Sequence, residues 1–108
     1  MTLVFSLGQA ILAAKAGATY ISPFIGRLDD IGEDGIDLVS RICKVYKNYH
    51  FETKVLAASI RSKEHIIQCA EVGADVITSP LKPILELLNH NLTDKGLAKF
   101  LEDYKRNC

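Results

Sequence analysis

The sequence predicts an α/β fold: four parallel strands, each followed by a helix, making half of a TIM (β/α)8 barrel with an added C-terminal helix. Three observations predict it. Short apolar runs alternate with amphipathic stretches along all 108 residues. The short runs are apolar throughout, as expected of strands covered on both faces in a parallel sheet. The chain also repeats itself: Gly17-Ala18-Thr19-Tyr20-Ile21-Ser22 matches Gly73-Ala74-Asp75-Val76-Ile77-Thr78, and Ser6 closes the first strand as Ser59 closes the third. A βαβα unit used twice suits a barrel better than an open doubly wound sheet. No GxGxxG follows any strand, so a dinucleotide site has no support.

Taken in order, Thr2–Ser6 reads as a short buried strand, and Gln9–Ala16 as a helix ended by Gly17. Thr19–Pro23 is the second strand, and Phe24–Gly35 reads as a loop carrying charges and glycines. Ile36–Tyr49 has apolar residues at 36, 38, 39, 42, 45, 46 and 49, a helical spacing. Tyr46 and Tyr49 fall on that face and are expected to pack. Lys54–Ile60 is the third strand. Ser62–Val72 is a helix with Ser62 as N-cap and Gly73 as terminator. Asp75–Pro80 is the fourth strand, Lys82–Leu88 a short helix, and Thr93–Lys105 a last helix capped by Thr93 and amphipathic through Leu97, Phe100, Leu101 and Tyr104.

A closed barrel of this kind needs eight strands and about 250 residues. Four strands leave two edges whose N–H and C=O groups lack partners, so the chain is expected to be a fragment or to pair with another copy or another chain. Composition narrows the partners. Thirteen basic residues balance thirteen acidic ones and the pI is about 6.8, which gives no electrostatic case for nucleic acid or an anionic membrane. Cys43, Cys69 and Cys108 form no CxxC pair and read as reduced thiols of a cytoplasmic protein. The apolar start has no basic n-region, and Gln9 and Lys15 interrupt it. It reads as strand and helix, not as a targeting segment. His50, His65 and His90 never pair at metal-ligand spacing and read as surface or helix-end residues. No metal and no cofactor are expected.

In barrels of this type the working groups stand at the C-terminal strand ends. The first strand offers Thr2 within it and Ser6 at its end, the second Ser22, Phe24 and then Arg27, the third Ser59 and Arg61, and the fourth Thr78 and Ser79. Two arginines just past neighbouring parallel strands can converge on one anion, and the guanidinium fork matches phosphate oxygens. Ser59 and backbone N–H groups at the following helix start would complete a cradle. Either arginine taken singly also fits a surface salt bridge with Asp29, Asp30 or Glu64.

The same residues carry a resemblance. Thr2-Leu3-Val4-Phe5-Ser6, Gln9-Ala10, Ala16-Gly17-Ala18, the run from Ser22 to Asp30 (SPFIGRLDD) and Leu56-Ala57-Ala58-Ser59-Ile60-Arg61 resemble the second half of the transaldolase family, barrel strands five to eight. The nearest branch is the short-chain, fructose-6-phosphate-aldolase-like one. The resemblance implies that Thr2 helps to hold the catalytic water and that Ser22 lines the hydroxyl-bearing part of the substrate. It implies that Arg27 and Arg61 grip phosphate with Ser59 beside them. Phe24 matches a position that is phenylalanine in transaldolases and tyrosine in the related aldolases, and aromatic packing alone would also explain it. Asp29-Asp30 is implied to be a loop that holds Arg27 in place.

The family mechanism is covalent: a lysine amine forms a Schiff base with a ketose, and the imine accepts electrons as the C–C bond breaks. By the resemblance, that lysine and its acidic partner lie on strands preceding Met1. Lys54 opens the third strand at the far end from the chemistry, and Lys15 and Lys63 fall on helix surfaces. Three readings follow. The first is a partial transaldolase of the pentose phosphate pathway that transfers a dihydroxyacetone unit between sugar phosphates, inactive as this chain alone. The second is a fructose-6-phosphate-type lyase, and the third a non-catalytic half-barrel that binds sugar phosphate. The expected partners are sugar phosphates, and a second copy or a complementary half-barrel. The last helix packs either on a neighbouring subunit or on the chain's own barrel.

Overall fold

The computed structural model describes residues 2–88 and 91–107. Its centre is a parallel sheet of three strands, β1 (Tyr20–Ile21), β2 (Lys54–Ala57) and β3 (Val76–Ile77), in that spatial order. Tyr20 pairs with Lys54 and Ile21 with Val55; Leu56 pairs with Val76 and Ala57 with Ile77. The ladder between β1 and β2 runs on through a bridge from Phe24 to Ala58.

The helices are α1 (Leu7–Lys15), α2 (Ile25–Asp30), α3 (Gly35–Asn48), α4 (Lys63–Val72), α5 (Leu81–Glu86) and α6 (Asn91–Asn107). Local chemistry sets their starts. Ser6 Oγ accepts from Gln9 N, Asp34 Oδ1 from Asp37 N, and Ser62 Oγ from His65 N, each satisfying an amide that has no intrahelical partner. Gly73 ends α4 at φ +94, a left-handed geometry that glycine adopts without a Cβ clash. The matching Gly17 after α1 sits at φ +87.

Helix α3 packs against α1, α2 and α4. The core lies between these helices and one face of the sheet: Ile21, Val55 and Ala57 from the strands meet Val39, Ile42 and Cys69 from the helices. Tyr46 joins this core and donates its hydroxyl to Ala10 O at 2.6 Å, tying α3 to α1. The other face of the sheet is open, with Tyr20 45% and Val76 40% exposed.

Several sequence expectations need correction. Four strands were expected, and three form among the described residues. The first, Thr2–Ser6, is reduced to a single parallel bridge between Val4 and Pro23. Leu3 has φ 55, a left-handed backbone that costs a non-glycine residue about 1–2 kcal/mol and breaks an extended ladder. The expected loop Phe24–Gly35 contains the helix α2, held by tertiary packing because Ile25, Gly26 and Leu28 are buried. Thr93 does not cap the last helix but lies inside α6. Tyr49 is 69% exposed and stacks on Phe51 instead of entering the core. His90 and Cys108 fall outside the described residues.

Candidate functional site

The strands end on one rim, and β2 builds most of it. After Ala58 the backbone turns sharply: Ser59 has φ 58, a strained conformation for a residue with a side chain. The turn aims Ser59 O at α2, where it accepts from Gly26 N at 2.9 Å, while Ala58 O accepts from Ile25 N at 2.9 Å. Helix α2 is thus bolted to the end of the neighbouring strand.

Gly26 makes that contact possible. A Cβ there would lie 2.6 Å from Ser59 O and 2.5 Å from Arg61 Nε. The Arg61 side chain therefore lies directly on the Gly26 backbone, one residue before Arg27. The structure brings the two arginine-bearing segments together at the C-terminal ends of β1 and β2. Arg61 pairs with Asp30, which draws the Asp30 carboxyl below its usual range and raises the guanidinium in return. Arg27 is exposed and its guanidinium sits 5.2 Å from the centre of the Phe24 ring. Phe24 is half-buried and tilts against Phe5 at 6.0 Å.

A shallow cavity of about 500 Å³ opens beside Arg61, lined by Ser59, Ile60, Arg61, Thr78, Ser79 and Pro80. It collects polar residues from the ends of β2 and β3. A larger open cavity, about 1080 Å³, includes Thr53, Lys54 and Asp75 in its lining. These residues begin strands, so it lies at the opposite end of the sheet from the rim where parallel barrels do chemistry. Lys54 is exposed there.

Thr2 stands on the first segment, and Ser22 follows directly after β1. Thr2 is exposed and precedes the bridge residue Val4; Ser22 is 8% exposed and its carbonyl accepts from Val4 N at 3.1 Å. The Asp29-Asp30 pair was expected to hold Arg27, but the partners it makes are others. Asp30 takes Arg61, while Asp29 accepts from Gly35 N through Oδ1 at 3.0 Å and meets His65 Nε2 through Oδ2 at 2.9 Å. The physical reason is that α2 turns these carboxylates towards α4 and the end of β2.

His65 was expected to be a surface or helix-end residue; it lies in the first turn of α4, and the contacts it makes there were not foreseen. Its Nδ1 accepts from Arg61 N at 3.1 Å and its side chain is only 13% exposed. The Arg61 amide is therefore engaged within the protein. A usable signal was the spacing Ser62-x-x-His65, with an N-cap serine and an acceptor three residues on, the arrangement of a capping box. Among the described residues, no group of three His, Cys, Asp or Glu side chains could hold a metal ion, and no helix is long and apolar enough to cross a membrane.

Comparison with known proteins gives a consistent result. A family model described as Transaldolase/Fructose-6-phosphate aldolase matches residues 1–107. A probable transaldolase of Bacteroides thetaiotaomicron is 69% identical over 105 residues, covering 97% of this chain and 48% of the relative. One from Cytophaga hutchinsonii is 67% identical over the same length with the same coverage. One from Flavobacterium psychrophilum is 59% identical over 106 residues, covering 98% of this chain and 49% of the relative. The chain thus spans about half the length of these relatives. Among solved structures, mandelate oxidase with benzoyl-formic acid superposes with a TM-score of 0.53 at 20% identity, over 72% of this chain and 23% of the oxidase. At that identity the likeness concerns the fold alone.

Proposed function

The chain belongs to the transaldolase/fructose-6-phosphate aldolase family, and we propose that it supplies the C-terminal, phosphate-binding half of a transaldolase-type barrel. In this reading Arg27 and Arg61 grip the phosphate of a ketose phosphate, Ser59 lies beside it, and Ser22 and Phe24 line the sugar. Thr2 holds water for the steps in which a Schiff base forms and hydrolyses. The lysine that forms the imine is not among these 108 residues, so the chain alone binds but does not transfer. The completed enzyme would pass a dihydroxyacetone unit from one sugar phosphate to another, within the pentose phosphate pathway of the cytoplasm.

The observation that carries the reading is the contact of Arg61 with the Gly26 backbone. It sets one guanidinium beside the segment that bears the other, at the rim next to a polar cavity. Asp30 occupies Arg61 through an exposed pair, and exposed pairs are screened by solvent and hold weakly. A dianionic phosphate offering bidentate geometry can displace it. Phe24 supports transfer over simple lyase chemistry, because a phenyl ring has no proton to give.

Titration of the chain with fructose 6-phosphate and with inorganic phosphate tests this. Both should bind, and Arg61→Ala or Arg27→Ala should each weaken binding at least tenfold through the loss of a charge-assisted contact. Borohydride added with fructose 6-phosphate should trap no lysine. Equal binding in wild type and both variants would overturn the assignment of the arginines, and a trapped lysine would overturn the claim that this chain only binds.

A further inference from the structure

Two helices of this chain begin alike, and the difference between them points to a role for His65. At α1, Ser6 Oγ accepts from Gln9 N while Gln9 Oε1 accepts from Phe5 N at 2.8 Å. At α4, Ser62 Oγ accepts from His65 N while His65 Nδ1 accepts from Arg61 N at 3.1 Å. Both are reciprocal caps in which the third helical residue reaches back to the residue before the N-cap. Glutamine is sufficient for that task at α1. A histidine has a second ring nitrogen on its opposite side, and here that nitrogen meets Asp29 Oδ2 of α2 at 2.9 Å.

The hydrogen bonds fix the ring's state. An amide donates to Nδ1, so Nδ1 carries a lone pair and the proton sits on Nε2, facing the carboxylate. One neutral imidazole therefore spans from the Arg61 amide to the α2 carboxylate next to Asp30. Asp29 is held in turn by Gly35 N, at the start of α3.

We propose that His65 is a positioning residue for the phosphate grip: its neutral ring locks the Arg61-bearing turn to the Arg27-bearing helix, and so sets the spacing of the two guanidinium groups. The proposal rests on the reading of Arg27 and Arg61 given above. His65 touches no phosphate itself. It removes a hinge between two segments that must present their cations at a fixed distance, and an anion site with fixed donors loses less on binding than a loose one.

The test separates capping from bridging. His65→Gln retains a capping acceptor, as Gln9 does at α1, but lacks a nitrogen on the far side of a ring. It should melt within a few degrees of wild type and keep the Arg61 amide protected from hydrogen exchange. Its dissociation constant for inorganic phosphate should rise about three- to tenfold, the effect of roughly one net hydrogen bond. Asp29→Ala should weaken phosphate binding similarly. The double variant should bind no worse than the weaker single one, because both remove the same bridge. His65→Phe should lose the amide protection as well. Nitrogen-15 spectra of wild type near neutral pH should show a protonated Nε2 and a bare Nδ1.

The inference is overturned if His65→Gln binds phosphate as wild type does, if the two single effects add, or if Nδ1 carries the proton. Its failure is distinct from failure of the phosphate reading. In the first case Arg61→Ala still weakens binding at least tenfold while His65→Gln leaves it intact; in the second Arg61→Ala has no effect, and both fall together.

Discussion

Gly26 shows how a single missing carbon sets the site. Its backbone is clamped between Ser59 O and the Arg61 side chain, and an added Cβ would meet them at 2.6 and 2.5 Å. The arginine end could swing aside, but the Ser59 carbonyl is backbone and already bonded to Gly26 N. Gly26→Ala should therefore push α2 off the end of β2. Overpacking of this kind costs about 1–3 kcal/mol, readable as a lower urea midpoint, and phosphate affinity should fall with it. Gly8→Ala in α1 is the control. There the nearest atom to an added Cβ is Ser6 Oγ at 4.0 Å, so the change should be neutral or stabilise by up to about 1 kcal/mol through helix propensity. Equal effects of the two substitutions would sink the close-approach argument. At this scale the sequence was partly legible. Arg27, Ser59 and Arg61 stood out as candidates because they follow neighbouring parallel strands, although a surface salt bridge fitted either arginine equally and Arg61 does pair with Asp30. Gly26, His65 and Asp29 did not stand out, because their roles depend on which segments touch, and spacing along the chain does not report that.

At the scale of elements, the other helices were readable, the short α5 included, and α2 was not. Helix α3 has fourteen residues and an apolar stripe, so its periodicity suffices to find it. Helix α2 has six residues, a glycine inside and no side-chain cap; its first amides find partners just past the end of β2 instead, a fact that only the fold supplies. The first strand failed for the converse reason, since its apolar run looked extended while Leu3 turns left-handed. The interface of α3 and α4 carries a testable consequence. Burial raises the thiols of Cys43 and Cys69 to about 11, Asp75 adding to the first and Cys43 to the second. Burial likewise lifts the Tyr46 phenol to about 12. In the unfolded chain the thiols ionise near 9.0, so above that pH the unfolded state releases protons that the folded state keeps. Stability is fullest below about pH 9 and falls as pH rises towards 11. The urea midpoint should drop across that window and drop less in Cys43→Ala/Cys69→Ala. The thiolate is the reactive form, so peptide-resolved alkylation of the folded chain at pH 8 should be slow at both sites and speed up in urea. Labelling at the rate of a free thiol in the native state would contradict this.

The whole molecule is far from compact. Its radius of gyration is 18.6 Å and its extents are 65 × 30 × 19 Å, against about 13 Å for a globular chain of this length. Its accessible surface is 7457 Å², where a compact monomer of 11.9 kDa would expose about 6,000 Å². The excess is apolar in two places. One is the open face of the sheet, where Tyr20 and Val76 are exposed in the position a closed barrel gives to its interior. The other is α6, whose Leu97, Phe100, Leu101 and Tyr104 are 57–74% exposed. Both were implicit in a sequence with strands apolar on both faces and an amphipathic last helix, because a parallel sheet with helices on one side leaves the other uncovered. Apolar surface on this scale seeks a partner. Light scattering at micromolar concentration should therefore report a mass above 11.9 kDa. The two surfaces are separable. If α6 carries the association, Leu97→Asp/Phe100→Asp should return the chain to a monomer with phosphate binding unchanged, since no residue of the grip lies on that helix. If the sheet face carries it, that variant stays associated and Tyr20→Lys/Val76→Lys dissociates instead. A wild-type monomer that remains folded and soluble at those concentrations would show that neither surface needs a partner, and the expectation of assembly would fail.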